Sequence, residues 1–169
     1  MLTKELCHKY FEYVDGILYR KYVESESKSY NTKYAGKAAG NLDSRGHLRL
    51  SLKNKRYAVH RVIFLMFHGY LPEEVDHKNN IRTDNRIENL RAATVFQNRH
   101  NSLIPSTNTS GIKGVSWHKQ NKSWRCSLWT NNKSKEVGGF ETKELAEEFM
   151  QLWREMAHGE FANHGKIFN

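Results

Sequence analysis

An α+β fold divided among small modules is what this sequence predicts, on three observations. Runs of period two, such as His47, Arg49 and Ser51 alternating with Leu48, Leu50 and Leu52, read as half-buried strands. Stretches with helical spacing occupy 58–69 and the region after Thr142. The apolar fraction is 38 % and the mean hydropathy −0.79 over 169 residues, so any core is shared among modules that each bury little.

The elements follow in order. Residues 1–12 begin as a short helix, and "YFEYVDGILYRK" sets Asp15-Gly16 between two aromatic-rich runs, a hairpin signal. "SRGHLRLSLKNKR" (44–56) gives a strand, a turn at Lys53-Asn54-Lys55 and a second strand. "AVHRVIFLMFHG" gives a helix ending near Gly69, with Pro72 shortly beyond. "LIPSTNTSG" (103–111) has a linker's composition. After it, "IKGVSWHKQ", "KSWRCSLWT" and "KSKEVGGF" predict a three-stranded antiparallel sheet. Thr142 caps a helix with apolar positions Leu145, Phe149, Leu152, Trp153 and Met156, ending at His158-Gly159. Alternation along the middle strand turns Trp124, Cys126 and Leu128 towards that helix and Arg125, Ser127 and Trp129 away. The expected division is a basic α+β region at 1–57, a module at 58–103, a linker at 104–111 and a sheet-and-helix domain at 112–163.

Charge narrows the partner. There are 27 Lys and Arg against 18 Asp and Glu, a formal +9, with 12 % aromatic residues. Such a chain points to a polyanion, nucleic acid first. Residues 1–60 hold 12 basic and 6 acidic side chains, and 44–56 hold five basic and no acidic ones. This places Arg49, Lys53, Lys55 and Arg56 among the expected DNA contacts. Cys7 and Cys126 stand far apart without a CxxC partner, against a disulfide scaffold and a structural zinc knuckle. The N-terminus lacks a signal-peptide apolar stretch, and "VIFLMF" (62–67) is too short to cross a bilayer. The expectation is an intracellular protein without a membrane partner.

The chemistry is concentrated in "VDHKNNIRTDNRIENLRAATVFQN" (75–98). Asp76 offers a hard oxygen ligand, and His77 an imidazole that titrates near neutrality. On a strand the two point to opposite faces, so one can hold a cation while the other addresses a substrate phosphate. Asn and Asp side chains turn the following loop back on its own backbone, with Asp84 read as such a capping residue. "LRAAT" then gives a short strand, and Thr94 caps a helix carrying Asn98.

The run 60–101, with His-Arg before an apolar helix, Asp-His at a strand end, Asp-Asn-Arg-x-x-Asn-Leu-Arg-x-x-Thr and then Gln-Asn on a helix, resembles the HNH endonuclease family, particularly its phage and intron-associated homing branch with the ββα-metal fold. The resemblance implies that Asp76 and Asn98 hold one divalent ion, Mg²⁺ or Mn²⁺, and that His77 is the general base. It implies that Asn89 orients the loop and the base, with His60 and Arg91 supporting. Many family members have His where this chain has Asn98, and His100 and Asn101, about a turn away, are rivals for that place.

Residues 110–163 are similar to the AP2 DNA-binding domain, through Gly-Val near the first strand, Trp124 on the second, "VGGF" closing the third, the Ala-Glu-Glu helix and the terminal "HGEFAN". That similarity implies a sheet reading DNA from its exposed face, with Lys113, His118, Arg125, Trp129 and Lys135 as contacts. Residues 113–135 hold six Lys and Arg and no acid, whereas 136–160 hold seven acids, so the sheet rather than the helix is suited to DNA.

The expected function is that of a metal-dependent DNA endonuclease, nicking or cutting both strands of double-stranded DNA to 5′-phosphate and 3′-hydroxyl ends in a phage-infected bacterial cytoplasm. No obligate protein partner is evident, and monomer and dimer both stay open. A DNA-binding regulator with an inactive site is the alternative, and an RNA-binding module a third reading that leaves the Asp-His-Asn set unexplained.

Overall fold

The computed structural model describes residues 2–130 and 133–165. It has the α+β character expected, with short antiparallel sheets and separate helices. By packing it divides into two units, 1–95 and 96–169, each with its own core.

The first unit opens with helix α1 (Lys4–Tyr10), capped by the Thr3 hydroxyl accepting from the Leu6 amide. Strands β1 (Phe11–Val14) and β2 (Ile17–Arg20) form the hairpin, with Asp15 and Gly16 both at positive φ, as a tight primed turn demands. A short helix α2 (Lys28–Tyr34), not expected from the sequence, is fixed by its buried Asn31, whose side chain bonds both backbone groups of Val23. Next, β3 (Asn41–Leu42), β4 (Leu48–Leu52) and β5 (Lys55–Ala58) make an antiparallel sheet with β4 central. Helix α3 (Val59–His68) stops at Gly69, whose φ of 79° supplies the left-handed cap that glycine adopts without cost. Strands β6 (Glu74–His77) and β7 (Leu90–Ala93) then pair in register Asp76 to Arg91 and His77 to Leu90.

One apolar core joins all of these. Cys7, Phe11 and Leu18 from the amino-terminal elements pack in the same buried cluster as Leu50 and Leu52 of β4, Ile63 and Phe64 of α3, and Val75 and Leu90 beside the Asp-His pair. Residues before 58 are therefore part of the packing unit that carries the Asp-His-Asn motif, and the core runs across position 57.

The second unit begins within helix α4 (Val95–His100). Strands β8 (Val115–His118), β9 (Ser123–Thr130) and β10 (Lys133–Phe140) form the expected antiparallel sheet with β9 central, and α5 (Lys143–His158) is capped by Thr142. Cys126 and Leu128 are buried towards α5, and the Cys126 thiol donates to the Ala146 carbonyl at 3.2 Å. The helix seats itself differently from the expected stripe: Ala146 and Met150 are buried with Phe149 and Trp153 beside them, whereas Leu145, Leu152 and Met156 are exposed. Segment 104–111 is folded rather than free, since Asn108 and buried Ser110 bond the Ile112 carbonyl. Both cysteines are free and buried, and burial pushes each thiol up to about 11. Among the described residues no helix is long and apolar enough to cross a membrane.

Candidate active site

Strand pairing sets the centre of the site. Because Asp76 lies opposite Arg91, the guanidinium reaches the carboxylate directly: Nε and Nη2 donate to Oδ2 at 2.9 and 2.8 Å, with Asp76 buried and Arg91 partly so. A buried charge left without such a partner is strongly destabilising.

One residue on, His77 is 6 % exposed, and its Nε2 lies 2.9 Å from Oδ1 of Asn85. An amide oxygen only accepts, so Nε2 carries the proton and Nδ1 the basic lone pair. Burial pulls the His77 pKa below its ordinary value, opposed by the Asn85 bond and the nearby Asp76 and Asp84 carboxylates. The ring is thus neutral near pH 7, as a base must be.

The loop between the strands is held by its own side chains. Asn89 donates through Nδ2 to Asn79 Oδ1 and the Asp84 carbonyl, and its own Oδ1 accepts from the Asn79 amide. Asp84 accepts from Asn79 and from both sides of the Arg86 fork, which hold its carboxyl down to about 2. Asp84 is thus the capping residue expected. Asn89 pins the loop, but the imidazole itself is oriented by Asn85, 1 % exposed, which sequence reasoning missed. The available signal was its place in the Asp-Asn-Arg triplet.

A second missed residue is His47. The rings of His47, His60 and His77 gather, with centroids 4.9 Å apart for His60 and His77, 5.5 Å for His47 and His60 and 6.2 Å for His47 and His77. His60 stands on α3 behind the base, and burial, with the neighbouring histidines, drives its pKa down to about 3. His47 arrives from the loop before β4, whose Arg45 carbonyl accepts a hydrogen bond from Arg82. Its alternation with leucines explained it as a strand residue and hid its position.

Beside this centre, Arg49, Lys53 and Arg56 line an open cavity of about 690 Å³ together with Arg20, Tyr30 and Tyr34. Register puts Arg56 opposite Ser51, on the outer face that Arg49 shares, whereas Lys55 lies opposite Leu52 on the core side. Lys55 is therefore separated from the other three by the pleat.

In the second unit the expected contacts also divide. His118 and Arg125 belong to the outer face of the sheet, whereas Trp129, 52 % exposed, lines a cavity together with Met150 and His158 of α5. Lys135 pairs with Leu128 and so takes the helix side. Lys113 is removed altogether as a surface contact, because its amine donates to the carbonyls of His100, Ser102 and Asn163 at 2.8, 2.5 and 3.1 Å. Burial also pulls that amine down to about 8. Asn98 is half-buried on α4. Its two rivals are engaged elsewhere in the unit, His100 stacked on His158 and Asn101 accepting from Asn163.

Among the described residues no group of three or more His, Cys, Asp and Glu side chains is placed to hold a metal. A Mg²⁺-type site does not require one, since that ion commonly keeps waters and takes one or two carboxylates plus substrate phosphate oxygens. Asp76, a buried carboxylate, fits that donor chemistry.

Residues 57–100 match the family model for HNH endonucleases. Protein 3.8 of Escherichia phage T7 is 32 % identical over 90 residues, covering 52 % of this chain and 72 % of its own length. An uncharacterized HNH endonuclease of Acanthamoeba polyphaga mimivirus is also 32 % identical, over 112 residues that cover 64 % of this chain and 57 % of the mimivirus protein. Among solved structures, the HNH homing endonuclease I-HmuI, described for DNA binding and cleavage, aligns with a TM-score of 0.42 and 24 % identity over 76 % of this chain and 71 % of its own. The chain belongs to the HNH endonuclease family, a class of nuclease enzymes that in general depend on a divalent metal.

Proposed function

We propose that the protein is a metal-dependent DNA endonuclease that hydrolyses phosphodiester bonds to 5′-phosphate and 3′-hydroxyl ends. The observation that carries this reading is the neutral, buried His77, held by Asn85 with its Nδ1 as the basic atom, one residue from the Asp76–Arg91 pair.

His77 Nδ1 takes the proton of the attacking water, a role worth roughly 10²- to 10⁴-fold. Asn85 keeps the tautomer that makes Nδ1 the base. Asp76 and, by the family pattern, Asn98 hold one Mg²⁺ or Mn²⁺. When bound, that ion polarises the phosphate and neutralises charge on the departing 3′ oxygen. Arg91 holds the Asp76 carboxylate in place, and Asn89 fixes the loop that delivers Asn85. The DNA backbone runs along the basic cavity of Arg20, Arg49, Lys53 and Arg56. The second-unit sheet binds duplex DNA in the AP2 manner through His118 and Arg125. Arg125 is partly engaged by Glu136 at 3.5 Å, so much of the affinity is backbone contact and falls with salt.

The test is nicking of supercoiled plasmid with Mg²⁺ or Mn²⁺ by the wild type, His77→Ala and His77→Gln, beside an EDTA control. Open-circular or linear product from the wild type alone, abolished by EDTA, supports the reading. Retention of plasmid without product by all three proteins overturns it in favour of a DNA-binding regulator.

A further inference from the structure

The second unit contains a cavity of about 440 Å³ that none of the chemistry above uses. Phe96, Leu128, Trp129 and Met150 give it an apolar and aromatic lining, and the volume lies in the range of small-ligand sites. Phe96 and Trp129 are 44 % and 52 % exposed, so ring surface is open to a ligand. His100 and His158 also line it, stacked with centroids 3.6 Å apart and planes within 3°.

Polar features of the wall define the occupant. Among the described residues no acidic one lines the cavity, whereas Arg99 does so from an exposed position. His158 Nε2 donates to the Trp129 carbonyl at 3.1 Å, leaving Nδ1 as a buried acceptor with no hydrogen-bond partner among the described residues. Flat rings and an uncovered cation match a planar heterocycle tethered to a phosphate. An aliphatic segment would leave the cation unused, and an acidic one would leave the aromatic rings without a flat partner.

We propose that this cavity binds one unpaired nucleobase of a DNA strand, the base stacking on Trp129 and Phe96, with Arg99 on its phosphate. The inference rests on the reading of the protein as a DNA-acting nuclease. It adds that the second unit grips an unstacked base as well as duplex surface. Base stacking on aromatic side chains tolerates sequence, because every base has a π-face.

The experiment measures fluorescence anisotropy of a labelled single-stranded dA decamer, and of an abasic decamer of equal length and charge, in EDTA so that cleavage plays no part. The full chain is used as wild type, Trp129→Ala, Trp129→Phe and Phe96→Ala, with circular dichroism confirming each fold. The base-bearing strand should bind at least about fivefold tighter than the abasic one, with Trp129→Ala and Phe96→Ala abolishing the difference and Trp129→Phe restoring most of it. Equal affinity of the wild type for both strands, no binding of either, or a preference surviving Trp129→Ala overturns the proposal. So does competition by free dAMP at the decamer's own concentration, which marks a mononucleotide site. Plasmid nicking measured in parallel keeps the outcomes apart: cutting without base preference removes only this inference, and base preference without cutting removes only the nuclease.

Discussion

His77 is useful as a base only in one tautomer, and a single side chain sets it. Asn85 Oδ1 at 2.9 Å from Nε2 keeps the proton there, so the lone pair stays on Nδ1. Asn85→Ala removes that acceptor without touching substrate, and groups that orient a reacting residue in this way typically contribute about 10- to 100-fold. Single-turnover nicking should therefore slow by that factor in Asn85→Ala. Asn85→Asp keeps an acceptor and places negative charge beside the ring, so it should retain more activity than the alanine variant. Its pH–rate profile should move upward, because a neighbouring carboxylate favours the imidazolium. An alanine variant with unchanged rate and profile would show that the tautomer is set elsewhere. The sequence made Asp76, His77 and the loop-pinning Asn89 legible because their types and spacing are local. Asn85 and His47 were not, since one asparagine among several looks alike in a string, and His47 meets its neighbours only after β4 has folded against α3.

At the level of elements, the loop bearing Asn85 leans on the β1–β2 hairpin. A Cβ on Gly16 would lie 2.8 Å from the Arg86 amide nitrogen and 3.1 Å from the Asn85 carbonyl carbon, and the Tyr13 hydroxyl accepts from the Ile87 amide. The hairpin therefore buttresses the loop that aims the base. Gly16→Ala meets two obstacles at once, a φ of 83° that disfavours a side chain and a backbone atom that cannot swing aside. It should cost about 1–3 kcal/mol of stability and, because Asn85 must shift, slow nicking at least about tenfold at a temperature where the variant is folded. Val14→Ala, at an exposed position of the same hairpin, serves as comparison. Equal nicking by the two variants would reduce the hairpin to a bystander. The hairpin was legible from Asp15-Gly16, and its contact with the loop some seventy residues later was not, because periodicity describes single elements and says nothing of their neighbours. The same gap misplaced the apolar stripe of α5. Helical spacing admitted Leu145, Leu152 and Met156, but the sheet selected the face through Ala146 and Met150, the small residue allowing close approach to Cys126.

Across the whole molecule, two separate cores imply two separable stabilities. Among the described residues the first core cluster holds sixteen buried apolar residues and the second six, so the second unit should be the first to lose its packing on heating. The chain carries its own reporters, since all eight tyrosines lie within 1–95 and all four tryptophans within 96–169. Tryptophan emission should therefore show an earlier thermal midpoint than tyrosine absorbance, where a single cooperative domain would give coincident curves. Acid should then move the tyrosine curve through His60. Its folded pKa of about 3 lies below the ordinary 6.5, so between those values the unfolded chain binds more protons and stability rises with pH. The contribution is intact above about pH 6.5 and is lost as pH falls towards 3. Lowering the pH from 7 to 5 should thus lower the tyrosine midpoint, and His60→Gln should lessen that drop while costing stability at pH 7 through its poorer fit behind His77. A tyrosine midpoint indifferent to this pH change in the wild type would mean that His60 is charged or solvated in the folded protein, and the dry backing of His77 by His60 would have to be abandoned.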